Sequence, residues 1–148
     1  MAQNGLGRPK STFLYPLILC LIGIFLLLTE DFGSWQDRDP FFGVTEGFIW
    51  IGSTKVAPWA QICILVLTAG LSYCAYILYT GFQDPSSVTQ SKYKRAYLSA
   101  LAVTGLTIVF GLIFVILVLD SDWWWFGNGF YGALISGAIT SYLMKRRL

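Results

Sequence analysis

Residues 96–119 read AYLSALAVTGLTIVFGLIFVILVL, about 24 residues without one charge. A helix of that length rises about 36 Å and crosses a hydrocarbon core of about 30 Å with some tilt. Lys92, Lys94 and Arg95 stand directly before it, behind the turn signal Asp84-Pro85-Ser86-Ser87. Ahead of that turn, 59–81 is a second uncharged run, opened by Pro58 as a helix-start residue and Trp59 as an interfacial anchor. On the other side, Asp120–Gly129 (Asp-Ser-Asp-Trp-Trp-Trp-Phe-Gly-Asn-Gly) reads as a tight aromatic turn, and a run over 126–144 ends on Lys145, Arg146 and Arg147.

The remaining run, 11–29, follows a short polar tail carrying Arg8, Pro9 and Lys10. Its length gives roughly 28 Å of helix, and Pro16 falls in the opening turns, where a missing N–H costs least. Thr29-Glu30-Asp31-Phe32 offers no small-x-small cleavage pattern, so the run reads as a retained anchor rather than a signal peptide. The expected architecture is one integral membrane domain over 1–148, an all-α antiparallel four-transmembrane-helix bundle with an outer loop over 30–58. Composition agrees, with 55% hydrophobic and 12% charged residues against the roughly 25% charged of a soluble domain.

Charge sets the orientation. Arg8, Lys10, Lys92, Lys94, Arg95, Lys145, Arg146 and Arg147 share one side, leaving only Arg38 and Lys55 on the other. The positive-inside rule then places both termini in the cytoplasm, with the plasma membrane the expected location. Glu30, Asp31, Asp37, Asp39, Glu46, Asp120 and Asp122 collect on the outer side. Basic clusters at the inner interface suit membrane lipids; no nucleic-acid partner is expected.

The outer loop is too apolar for a disordered segment. Residues 47–51, a Gly52-Ser53 turn and 54–57 read as a hairpin, giving the loop partial β-structure. Two strands alone are marginal in water, so this element needs the bundle, a third strand or a partner to hold it. Trp35, Phe41, Phe42, Phe48 and Trp50, with Trp123, Trp124 and Trp125 of the second outer turn, form the candidate contact surface. A lid over the helix ends and a partner-binding surface both fit this composition.

Four runs, inner termini, a long first outer loop with strand character, and Trp35 followed by Gly47-Phe48-Ile49-Trp50 resemble the claudin and peripheral-myelin-protein tetraspan group. That group's signature is a Trp, then Gly-Leu-Trp, then two cysteines, and this loop contains no cysteine. The resemblance implies a non-enzymatic role in side-by-side or cell-to-cell contacts, without the loop disulfide.

Chemistry-bearing residues are sparse. Cys20, Cys63 and Cys74 all lie inside apolar runs, without a C-x-x-C, and read as small packing residues. The chain has no His, which removes imidazole bases and the common zinc and haem ligands. None of the four runs contains an ionisable Asp, Glu, Lys or Arg, the usual mark of a pump or proton relay. Asp37/Asp39 and Asp120/Asp122 have a spacing that could hold a divalent cation, but no nucleophile–base pair or phosphate loop accompanies them. No cofactor, metal site or enzymatic activity is expected.

Small residues mark the helix contacts. Gly132-Ser136-Thr140 and Ala133-Gly137-Ser141 form two adjacent rows spaced by four, which let a neighbouring backbone approach closely. They serve packing within the bundle or a homo-oligomer. Thr104 and Thr107 read as helix-packing hydroxyls. The reading is a structural or accessory subunit acting on a membrane-protein partner through contact, the alternative being a small transporter or channel.

Overall fold

A computed structural model describes residues 9–41, 43–52 and 58–148. In chain order it contains α1 (Ser11–Thr29), β1 (Gly33–Asp39), β2 (Gly43–Ile49), α2 (Pro58–Gln83), α3 (Gln90–Leu117), β3 (Trp123–Phe126) and α4 (Asn128–Lys145), with a single 3-10 turn at Pro85–Ser87. Among the described residues α1, α2 and α3 are long and apolar enough to cross a membrane, and the chain is a mostly helical membrane protein. The 18 residues of α4, diluted by glycine and hydroxyl side chains, are not among those three.

Local chemistry sets the helix ends. The Thr89 hydroxyl accepts from the Lys92 N–H, so α3 starts at Gln90 rather than at the apolar boundary near 96. Lys92, Lys94 and Arg95 therefore ride on its first turns, where long stems can lie along apolar surface while the charges stay wet. Asp84 accepts from the Ser86 N–H at 2.9 Å and the Ser86 hydroxyl at 2.6 Å, closing the link after α2. Those bonds to the charged form hold its carboxyl below the usual range.

The helices pack in a ring, each against two neighbours: α1 on α2 and α4, α3 on the same two. Neighbours run antiparallel. Gly81 of α2 lies on Phe13 near the start of α1, whereas Gly23, farther along α1, meets Leu71 of α2 and Ser136 of α4. Ser99 of α3 donates to the Gly70 carbonyl of α2 at 2.8 Å, and Gly111 of α3 lies against Phe130 of α4. Phe13, Leu67, Leu71, Leu78, Tyr93, Val103 and Phe114 are among the side chains filling the interior.

At one end sits a three-stranded antiparallel sheet in the order β2-β1-β3. A sheet resting on the bundle was the expectation, but its strands differ from the expected ones. The β1–β2 hairpin turns between Asp39 and Gly43: Asp39 Oδ1 accepts from the Phe41 N–H at 2.7 Å, Pro40 follows Asp39, and Gly43 takes the left-handed φ of 84°. This is the chemistry of a short hairpin loop, whereas Ser53, half of the expected Gly52-Ser53 turn, lies outside the described residues. Residues 47–49 thus pair with β1, and the limb expected at 54–57 lies outside the described residues.

The second correction concerns Asp120–Gly129. Its tryptophans form a strand rather than a turn, with Trp35 opposite Trp124 and Gln36 opposite Trp123. The last helix accordingly begins at Asn128, after the strand, and not at Phe126. Gly127 donates to the Phe32 carbonyl and Gly129 to the Asp31 carbonyl, so the start of α4 is tied to the exit of α1. Added side chains at either glycine would run into Asp31, which is why this junction is built from glycine.

Candidate contact surface

Strand alternation divides the aromatic residues between two faces. Gly33 of β1 lies on the ring of Phe114, near the end of α3, where a Cβ would sit only 2.7 Å from the ring. That fixes the bundle-facing row as Gly33 and Trp35 on β1, Gly47 and Ile49 on β2, and Trp124 and Phe126 on β3. Phe114 is the hub, with ring centroids 6.4 Å from Trp35, 6.3 Å from Trp124 and 5.8 Å from Phe126. Phe126 stacks on Phe130 at 4.0 Å, and Phe130 meets Phe32 edge-on at 5.3 Å. Gly47 faces Trp35 because the indole occupies the space of its missing side chain.

The opposite row points away from the helices. It comprises Ser34, Gln36 and Arg38 on β1, Val44, Glu46 and Phe48 on β2, and Trp123 and Trp125 on β3. Phe48, Ser34 and Trp125 stand in register across all three strands, with Glu46, Gln36 and Trp123 as the next line. Phe48 is 45% exposed, Trp125 49% and Trp123 64%. Gln36 donates to Glu46 at 2.9 Å, and Ser34 donates to Asp31.

Trp35, Phe48, Trp123 and Trp125 therefore do different work, the first packing the sheet onto the bundle and the others facing outward. Trp124, 37% exposed, sits at the edge of the packed side. Trp50 donates from Nε1 to the Leu28 carbonyl at 3.1 Å, filling one of the acceptors left open at the end of α1. Phe41 is 89% exposed on the hairpin turn, and Phe42 lies outside the described residues.

Two carboxylates of this end serve the sheet. Asp122 Oδ2 accepts from the Arg38 N–H at 2.7 Å and links the end of β1 to the approach to β3. Asp39 holds the hairpin turn. Among the described residues no three of His, Cys, Asp and Glu come together as a metal site.

Inside the ring, Gly132, Ala133, Ser136, Gly137, Thr140 and Ser141 are all buried. The first row meets α1: Gly132 lies on Leu26, Ser136 on Gly23, and Thr140 on Cys20 and the Pro16 carbonyl. In the second row, Gly137 lies against Thr104 and the Ala100 carbonyl of α3. Phe114 and Val44 escaped the sequence reading. Phe114 stands in an unbroken apolar run where no periodicity singles it out, and Val44 acquires its outward place only from the register.

Comparisons with family models, curated proteins and solved structures return no match for this chain.

Proposed function

We propose that this chain is a non-enzymatic four-span protein of the plasma membrane, with both termini cytoplasmic, that serves as a structural or accessory subunit of a membrane assembly. The observation that carries the reading is the outward row of the sheet. Phe48, Trp123 and Trp125 leave large rings uncovered on a three-stranded sheet. Exposed aromatic patches on ordered scaffolds are where protein–protein contacts concentrate their energy.

Crossing of the membrane by α4 belongs to the same reading. Its support is the antiparallel packing of α4 between α1 and α3, and the absence of charge from Asn128 to Met144. Lys145–Arg147 then lie at the end that also carries Lys10 and Lys92–Arg95. The layout shared with the claudin and peripheral-myelin-protein group favours a role through lateral or cell-to-cell contact.

Extraction from the native membrane in mild detergent tests this. The wild-type chain should migrate with a larger assembly, and Phe48→Ala with Trp125→Ala should release it while helicity stays unchanged. A wild-type chain that runs alone, or an assembly indifferent to both substitutions, overturns the proposal.

A further inference from the structure

The seam between α1 and α4 is hollow at the end that carries the basic residues. A groove of about 490 Å³ lies there, its apolar wall built from Ile18 and Leu19 of α1 and Leu143 of α4. Ser11, Thr12 and Arg147 complete it at the chain-terminal end of the two helices. A second hollow of about 320 Å³ continues the seam past Leu19, which borders both, to Ile22 and Ile135. From Ser11 to Ile22 is about 16 Å by helical rise, half of a hydrocarbon core of about 30 Å and so the reach of an acyl chain in one leaflet.

The polar end of the groove has one sign. Arg147 is the charged residue that borders it, and no carboxylate does. Arg146 is engaged elsewhere, lying over the Tyr142 ring at 5.6 Å. The Thr12 hydroxyl is buried and has no hydrogen-bond partner among the described residues, which leaves a donor at the same end. Ser11 and Arg147 are exposed, so an anion held between them stays at the water interface and avoids the cost of entering the hydrocarbon.

Basic pockets between spans on the cytoplasmic side are where anionic lipid headgroups bind. We propose that the α1–α4 groove holds one anionic phospholipid of the inner leaflet, its phosphate at Ser11, Thr12 and Arg147 and one acyl chain along Leu19. A partner helix, about 10–12 Å across with its side chains, would stand over such a hollow rather than fill it. The site rests on the reading that α4 crosses the membrane with its end in the cytoplasm. Labelling of Leu148→Cys by a membrane-impermeant reagent decides that point without lipid: labelling from outside ends both readings, whereas a crossing α4 that binds no lipid ends only this one.

The test is native mass spectrometry of the detergent-purified chain, titrated with phosphatidylglycerol or with phosphatidylcholine of the same acyl chains. The wild type should take up one phosphatidylglycerol saturably, at concentrations where phosphatidylcholine does not bind. Arg147→Gln should weaken that uptake by at least about five-fold, the effect of one basic side chain at an anionic surface, while Lys94→Gln on α3 leaves it unchanged. Leu19→Trp, which fills the groove, should abolish it with helical content intact. Equal uptake of the two lipids, indifference to Arg147→Gln, or an equal loss in Lys94→Gln overturns the site. Displacement by inorganic phosphate would mean an anion site without a lipid, and a dimer that Leu19→Trp dissociates would mean that a second copy covers the seam; either sinks the proposal. A phosphatidylglycerol with a photoreactive acyl chain needs no variant: attachment within 11–22 or 135–147 supports the site, and attachment only elsewhere overturns it.

Discussion

Phe114 shows how one side chain can hold a sheet to a bundle. It is 2% exposed and touches residues from β1 and β3 while belonging to α3. Phe114→Ala should destabilise the chain by about 3–5 kcal/mol, from the lost burial and the cavity left among rings that cannot all collapse inward. Unfolding followed by tryptophan fluorescence, with a red-shifted starting spectrum and preserved helical content, is the expected signature. A loss below about 1 kcal/mol would show that the sheet is held elsewhere. In the sequence Phe114 lies within Gly-Leu-Ile-Phe-Val-Ile-Leu, where every neighbour is as apolar as itself. Its importance comes from the glycine that approaches it, Gly33, some eighty residues earlier in the chain.

At the scale of elements, the three longest helices were legible because an uncharged run of their length has one inexpensive home. The strands were not. Trp123–Phe126 has the composition of an interfacial anchor as much as of a strand, and it becomes a strand because β1 offers a free edge. The turn between β1 and β2 is made by Asp39-Pro40 and Gly43, a less conspicuous signal than the adjacent pair Gly52-Ser53. Register gives the sharpest check on the sheet. Gln36→Cys with Trp123→Cys, opposite each other and on the same face, should cross-link under mild oxidation, because facing strand residues lie within disulfide reach. Gln36→Cys with Trp124→Cys should not, and a reversal of the two results would mean a strand slipped by one residue.

Across the whole molecule, charge and helix direction agree. Lys10, Lys92, Lys94, Arg95 and Lys145–Arg147 gather at the end away from the sheet, and Glu30, Asp31, Asp37, Asp39, Glu46, Asp120 and Asp122 at the end that bears it. On the proposed orientation in the plasma membrane, single cysteines tested with a membrane-impermeant reagent should fall into two groups. Glu46→Cys and Asp120→Cys should label from outside the cell, and Ser87→Cys and Leu148→Cys only after the membrane is opened. Labelling of Leu148→Cys from outside would mean that α4 does not cross. The outward row was half legible: the aromatics of the loops stood out by type, but which of them face the bundle depended on the period of two along β1 and so on a register no local signal reveals.

The β1–β3 ladder also carries a consequence for biogenesis. Strand β1 leaves the ribosome some ninety residues ahead of the partner that covers its second edge. While α2 and α3 are being made, the hairpin has one side of its central strand bare, an edge of the kind that recruits other chains. Arrival of the tryptophans just before α4 closes that edge, so the last helix and the completed sheet are delivered together. A chain truncated before Trp123 would keep its three long helices yet leave the second edge of its central strand unpaired.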